Sequence, residues 1–177
     1  MVPHRFLRGL FLASLLLALT SLGALAIIDE HLKSPASPLG IVSFELCAFR
    51  STCSAITASW NAEAKNYAAM SLGLDYLFMM AYPAAISSGL WLLVKKESTL
   101  LRKPMTVMAH AIWFACIADA IENYHLFQML MGQPIASHEW ISTYSASAKF
   151  VCLVPALALC VLGAFRRVLK RRCLPGG

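Results

Sequence analysis

The chain has 177 residues, of which 59% are hydrophobic and 14% charged, and its mean hydropathy is +0.65. A soluble domain carries about a quarter of its residues as charged side chains, so this composition excludes an ordinary soluble domain. The net charge of +6 does not indicate nucleic-acid binding, because the basic residues flank apolar segments instead of forming a stripe among aromatic residues. We therefore predict a single membrane domain over residues 1–177. We expect membrane lipid to be its partner and no nucleic acid to bind it.

The first apolar segment covers about residues 6–28 and is flanked by Arg5 and Arg8. It is long enough to cross the hydrocarbon core, which favours a retained membrane span. A cleavable signal peptide is the alternative, because the segment has a basic start and Ala24-Leu25-Ala26 matches an A-x-A cleavage site. The sequence therefore leaves two alternatives, a retained first span and a signal peptide over residues 1–26 that is cleaved.

The region between the first and second spans contains a mixed stretch over residues 41–60. Its apolar and polar residues predict a short amphipathic helix in the first outer loop, lying at the membrane surface or capping the bundle. Cys47 and Cys53 fall in this stretch, where a disulfide is chemically feasible. A six-residue separation along one continuous helix would hold them far apart, so the spacing disfavours a bridge.

Three further apolar segments follow, at about residues 67–94, 104–131 and 141–165. Each reaches the roughly 20 residues that a span requires. Pro104 suits the first turn of the third span. The sequence thus predicts an all-α membrane protein, a four-helix transmembrane bundle with a short amphipathic helix in the first outer loop.

The distribution of basic residues predicts the orientation of this bundle. Most of the 15 Lys and Arg residues occur at alternate ends of the spans, namely Arg5, Arg8, Lys95, Lys96, Arg102, Lys103, Arg166, Arg167, Lys170, Arg171 and Arg172. By the positive-inside rule, both termini and the turn at 95–103 lie in the cytoplasm. We expect a multi-pass protein of the bacterial inner (plasma) membrane.

Charged residues also occur inside the predicted spans, all at one depth. Asp75 lies in the second span, Asp119 and Glu122 in the third, and Lys149 in the fourth. Helix geometry places them roughly 10–15 Å below the outer surface. Each costs about 2–3 kcal/mol even on the mildest scales, so such residues face the bundle interior in pairs. Glu45 is expected to reach this layer from above.

This polar layer has two interpretations. It can hold helices together, with Lys149 pairing with Asp75 or Asp119 and the remaining lone pairs satisfied by Tyr76, Asn123 and Tyr144. Alternatively it is a functional site, because the acids outnumber the lysine and the surplus carboxylate favours a bound partner or a raised pKa. The candidate ligand-binding or buried polar residues are Glu45, Asp75, Asp119, Glu122, Asn123 and Lys149.

Metal binding has one weak candidate set in the third span. Glu122 and His125 have the E-x-x-H spacing of helix-bundle metal sites, and Asp119 lies on the preceding turn. A mononuclear site is geometrically feasible, whereas a dinuclear site needs a second E-x-x-H step that the chain lacks. No catalytic residue or cofactor can be assigned from these motifs.

Three segments together resemble a group of small bacterial four-span integral membrane proteins. These segments are G-I-V-S-F-E-L at 40–46, L-G-L-D-Y-L-F at 72–78 and D-A-I-E-N at 119–123. The resemblance implies a four-span membrane fold and no particular chemistry. It points to five residues of the polar layer, Glu45, Asp75, Asp119, Glu122 and Asn123.

Three functions fit these observations. The first is a membrane-embedded binding or interaction protein whose carboxylate-rich site holds a lipid-like or small ligand. The second is a membrane enzyme that uses paired carboxylates as acid and base on an isoprenoid-, quinone- or lipid-like substrate. The third is a subunit of a proton- or ion-coupled carrier. A homo-oligomer or a membrane partner protein is compatible with each.

Overall fold

The computed structural model of the chain describes residues 3–94, 97 and 99–172. The described part is helical and has no β-strand. Its α-helices are α1 (His4–Asp29), α2 (Ile41–Glu45), α3 (Cys53–Ser59), α4 (Ala62–Val94), α5 (Thr99–Leu130) and α6 (Glu139–Arg172). Three short 3-10 turns cover Glu30–Leu32, Cys47–Arg50 and Ile135–Ser137.

The prediction of four membrane spans is confirmed, since α1, α4, α5 and α6 are long and apolar enough to cross a membrane. The helices extend beyond the apolar segments. Helix α5 begins at Thr99, which places Pro104 inside the helix and not in its first turn as predicted. A helix can continue past the hydrocarbon edge through polar residues such as Arg102. Lys95, Lys96 and Cys173 lie outside the described residues.

The four long helices pack in a row. Helix α1 packs along α4, α4 along α5, and α5 along α6, with a smaller contact between α4 and α6. Helices α1 and α6, at the two ends of this row, make almost no contact with each other. Helix α4 is therefore the central element, and 67% of its apolar window is buried against 17–28% in the other three.

Gly89 of α4 marks the place where three helices converge. The ring of Phe11, on α1, lies so close that a methyl group at Gly89 would be 3.0 Å from it. The Sγ atom of Cys160, on α6, would be 3.9 Å from the same methyl group. A glycine therefore allows this close approach, and the row of helices is drawn together at this level.

A folded cap covers one end of the bundle. Its centre consists of Leu32, Phe44 and Ile56, which have no exposed surface, and these pack against the adjacent ends of α4 and α5. The indole Nε1 of Trp60 donates a hydrogen bond to the Leu32 carbonyl at 2.9 Å. We call this end of the molecule the cap end.

The cap corrects two predictions. The single amphipathic helix expected over 41–60 is replaced by α2, a 3-10 turn and α3, because the chain reverses at Ser51, whose φ is +53°. This reversal brings Cys47 and Cys53 to a Cα separation of 4.9 Å, and the two form a disulfide. The prediction that Cys47 and Cys53 are too far apart to form a disulfide was wrong, because it assumed one unbroken helix.

Candidate functional site

Lys149 of α6 is the centre of the charged layer. Its Nζ lies 3.0 Å from Asp119 Oδ1, 2.8 Å from Glu122 Oε2 and 3.6 Å from Glu45 Oε1. Its side chain is 8% exposed, so the contacts are made away from solvent. One ammonium group thus lies within ion-pair distance of carboxylates from α2 and α5, and it donates a hydrogen bond to Asp119 Oδ1.

Asp75 of α4 is not among the direct partners of Lys149. Its Oδ2 accepts a 2.6 Å hydrogen bond from Nδ2 of Asn123, on α5. The sequence offered Asp75 and Asp119 as alternative partners for the lysine, and the structure gives that role to Asp119. Asp75 is therefore a second acidic group in the same layer, held by an amide and not by a cation.

The tyrosines expected to complete the layer lie elsewhere. Tyr76 and Tyr144 are 47% and 60% exposed. Tyr82 of α4 is the buried tyrosine, with 4% exposure. A seven-residue spacing from Asp75 places Tyr82 on the same face of the helix, and this was the signal that sequence reasoning missed.

Four buried oxygen atoms of Glu45, Glu122 and Tyr82 have no hydrogen-bond partner. They are Glu45 Oε2, both carboxyl oxygens of Glu122 and the Tyr82 hydroxyl, with Glu122 Oε2 within ion-pair distance of Lys149. A buried polar atom left unpaired costs on the order of 1–3 kcal/mol, so native proteins keep few of them. The layer therefore retains hydrogen-bonding capacity that its own residues do not use.

A cavity of about 500 Å³ extends from this layer into the bundle. Along α1 it runs from Leu15 to Asp29, which corresponds to about 21 Å of helix. Most of its wall is apolar, including Leu15, Ala18, Ile86 and Leu153. Its polar wall consists chiefly of Glu45, Asp75, Asp119, Asn123 and Lys149, with Tyr82 further along α4.

The cavity opens sideways between α1 and α6. These helices form two of its walls but make almost no contact with each other. Leu19 and Leu22 of α1 and Leu157 of α6 line the opening and are 44–57% exposed. This opening lies along the apolar spans, between residues of α1 and α6 that are themselves apolar.

The cap places Glu45 at the polar end of the cavity. At the start of α2, the backbone amide of Ile41 donates to Asp29 Oδ1 at 2.6 Å. At its end, the hydroxyl of Thr143 donates to the Glu45 carbonyl at 2.9 Å. Helix α2 is thus tied to both α1 and α6, the two helices that flank the opening. Thr143 is fully buried, and its sequence context gave no sign of this role.

Glu45 lies outside the membrane-spanning helices and is buried beneath the cap. Burial raises the pKa of its carboxyl group above its ordinary value, and the positive charge of Lys149 only partly opposes this effect. The nearby Asp119 raises the pKa further. A raised pKa favours the protonated form, so the layer can combine ionised and neutral carboxyl groups.

The structure does not bring the metal candidates together. Asp119 and Glu122 contact Lys149, whereas His125 Nδ1 lies 2.8 Å from Nδ1 of His138 at the cap end. Among the described residues, no three His, Cys, Asp or Glu side chains are grouped closely enough to hold a metal ion. Glu122 and His125, the two residues of the E-x-x-H step, therefore lie in different environments on α5.

Comparisons of the chain with protein-family models, with curated proteins and with solved structures give no match.

Proposed function

We propose that this integral membrane protein binds one lipid-like molecule in the cavity, with its polar end at the charged layer and its apolar chain between α1 and α6. The observation that carries the proposal is a cavity with an apolar wall along the spans, a charged end and an opening toward lipid. Its volume of about 500 Å³ falls in the range of roughly 300–1,000 Å³ that holds a single small ligand.

The charged layer is what would distinguish this ligand from bulk lipid. Inside a bilayer, moving an apolar chain from lipid into an apolar cavity gains little, because both surroundings are hydrocarbon. Selective binding must therefore come from the polar end. Glu45 Oε2 and the Tyr82 hydroxyl, which are unpaired and line the cavity, provide such contacts.

The test is native mass spectrometry of the protein released from lipid nanodiscs. Leu22→Trp places a large ring in the opening, and we expect it to reduce lipid-like adducts at least tenfold. Leu16→Trp is the matched control, because Leu16 lies on the same helix, is 66% exposed and does not line the cavity. Equal adduct formation in both variants would contradict the proposal.

A second candidate function is acid–base catalysis on the bound molecule. It is favoured by Glu45, whose carboxyl group has a raised pKa and an unpaired oxygen at the cavity wall, close to the acids of α4 and α5. A neutral carboxylic acid beside an ionised one is the arrangement that such chemistry uses. Incubation with membrane lipid extract should then yield a product that is absent with Glu45→Gln. The binding function alone predicts no product with either protein.

We also propose a bacterial inner-membrane location, with both termini in the cytoplasm and the cap on the periplasmic side. Two independent features support it, the basic residues at the ends opposite the cap and the disulfide within the cap. Disulfides persist in oxidising compartments such as the periplasm. A phosphatase that is active only in the periplasm should be inactive when fused at the C-terminus. Activity of that fusion would place the C-terminus in the periplasm and contradict the proposed orientation.

A further inference from the structure

We propose that the molecule bound in the cavity is a single-chain amphiphile whose polar end is a protonated primary amine. This inference rests on the proposed binding of a lipid-like molecule and specifies its chemical class. It is based on the charge balance of the layer, on the kind of hydrogen-bonding atoms left free, and on the shape of the cavity.

The charge balance favours a cation. Four carboxyl groups occupy the layer and one ammonium group accompanies them, and that ammonium already contacts Asp119, Glu122 and Glu45. Buried carboxylates without a counter-charge are costly, so they take up protons or attract a cation. An ammonium head group would supply that charge, while a phosphate head group would add repulsion.

The free hydrogen-bonding atoms favour a head group that donates. The Nδ2 of Asn123 already donates to Asp75, and the Lys149 ammonium is shared among the acids. Glu45 Oε2 is an unpaired buried oxygen of an acid that lines the cavity. Without a ligand the raised pKa of Glu45 favours its protonated form, and a bound cation would favour the ionised form, which only accepts. The Tyr82 hydroxyl is also unpaired and can accept or donate. A primary ammonium presents three N–H donors to these atoms, whereas a quaternary ammonium presents none.

These unpaired atoms are observations separate from the number of acids. Glu45 and Tyr82 are 9% and 4% exposed, and both line the cavity. They lie on different elements, α2 and α4. Both elements that carry an unpaired oxygen therefore border the cavity as well as the ion-pair contacts around Lys149.

The cavity shape favours one chain. Its apolar walls extend from the charged layer toward the middle of the bundle, where Phe11 and Cys160 lie close to Gly89. The opening between α1 and α6 allows the chain to arrive from the lipid phase while the amine moves toward the acids. A volume of about 500 Å³ suits one small ligand and not a two-chain phospholipid.

The experiment uses the full chain in nanodiscs of phosphatidylcholine, a lipid without N–H donors in its head group. Four probes with the same chain are added at equal trace mole fractions: hexadecylamine, hexadecyltrimethylammonium, hexadecanol and hexadecyl phosphate. Native mass spectrometry measures the bound fraction of each. We expect hexadecylamine to be bound at least tenfold more than any of the other three.

Variants assign this preference to the layer. Asp75→Asn should reduce hexadecylamine binding about tenfold, and Leu22→Trp should reduce binding of all probes, while Leu16→Trp should match the wild-type chain. A thermal unfolding curve for each variant shows that it remains folded. If Asp75→Asn does not fold, Glu45→Gln takes its place.

The outcomes separate the two proposals. Equal binding of hexadecanol or hexadecyl phosphate, reduced by Leu22→Trp, would leave the lipid-like site standing and overturn the amine. Equal binding of the quaternary probe would overturn the need for N–H donors and thus the primary amine. If no probe binds above the level of Leu22→Trp, both the amine and the lipid-like site are wrong.

Discussion

The two ends of the bundle both contain an ion pair, but they differ in charge balance and burial. At the end opposite the cap, Arg166 Nε lies 3.5 Å from Glu97 Oε2, with the arginine side chain 42% exposed and the glutamate side chain 3% exposed. At the cap end, Lys149 is 8% exposed and meets three carboxylates. The Arg166–Glu97 pair joins the segment between α4 and α5 to α6 with one acid for one base. At the cap end the acids outnumber the base, and this surplus is what the proposed binding function would use.

The cap end is also the more constrained end. The disulfide between Cys47 and Cys53, the Trp60 hydrogen bond to Leu32 and the ties of α2 to Asp29 and Thr143 all lie there. Such support is what a binding site needs to hold its groups in position. The cap end thus has the support that the proposed binding site needs, whereas the opposite end has a single ion pair.

The largest expected effect comes from removing the central cation. Lys149→Met leaves Asp119 and Glu122 buried without a positive partner, and we expect a loss of about 3–5 kcal/mol in the free energy of unfolding. The measurement is unfolding in mixed detergent micelles. Arg166→Gln is the matched change at the opposite end and should cost less than Lys149→Met, because the arginine side chain is 42% exposed and a glutamine at this position still has N–H donors for Glu97, whose side chain is 3% exposed. Similar losses in both variants would remove the distinction between the two ends.

An intermediate effect is expected from Gly40, which precedes α2. Its φ is +55°, and a side chain at this position would overlap the Asp29 carboxylate that anchors α2. Gly40→Ala should cost about 1–3 kcal/mol of unfolding free energy through backbone strain and the loss of this anchor. Gly73→Ala, within α4 and with open space around it, is the control and should be neutral or stabilising. An unchanged Gly40→Ala protein would show that α2 is held by other contacts.

The smallest effect is a pH dependence at Glu45, which is faced by Lys149 of α6, Asp119 and Glu122 of α5 and Asp75 of α4. Its raised pKa means that the folded protein favours the protonated acid, so this contribution is complete below the ordinary pKa of 4.5 and is lost as pH rises through the raised value. Glu45→Gln keeps the group neutral. Its melting temperature should therefore gain on the wild type by a few degrees between pH 5 and pH 8. If the melting temperature of Glu45→Gln instead falls relative to the wild type as pH rises, the attraction of the ionised Glu45 to Lys149 outweighs the cost of burying its charge.

Much of the cap lay beyond sequence reasoning because it depends on chain reversals. Residues 41–60 have a mixed apolar pattern that fits one helix, and the turn at Ser51 breaks it. The disulfide follows from that break, whereas Glu45 is the last residue of α2, which already ends six residues before Ser51. A serine in the left-handed backbone region has no strong sequence signature. The apolar pattern of residues 41–60 therefore fits both one continuous helix and two short helices with a turn between them.

The sequence by itself determined the four spans and the depth of the charged residues. Hydrocarbon thickness sets the length of a span, and the cost of charge in lipid forces Asp75, Asp119, Glu122 and Lys149 to face inward. Only the tertiary structure decided which acids contact the lysine, that Tyr82 and not Tyr76 lies beside the cavity, and that α1 and α6 stay apart to leave an opening. Those outcomes depend on helix rotation and on close approaches such as Phe11 to Gly89, which are fixed by packing between distant segments and not by any local pattern.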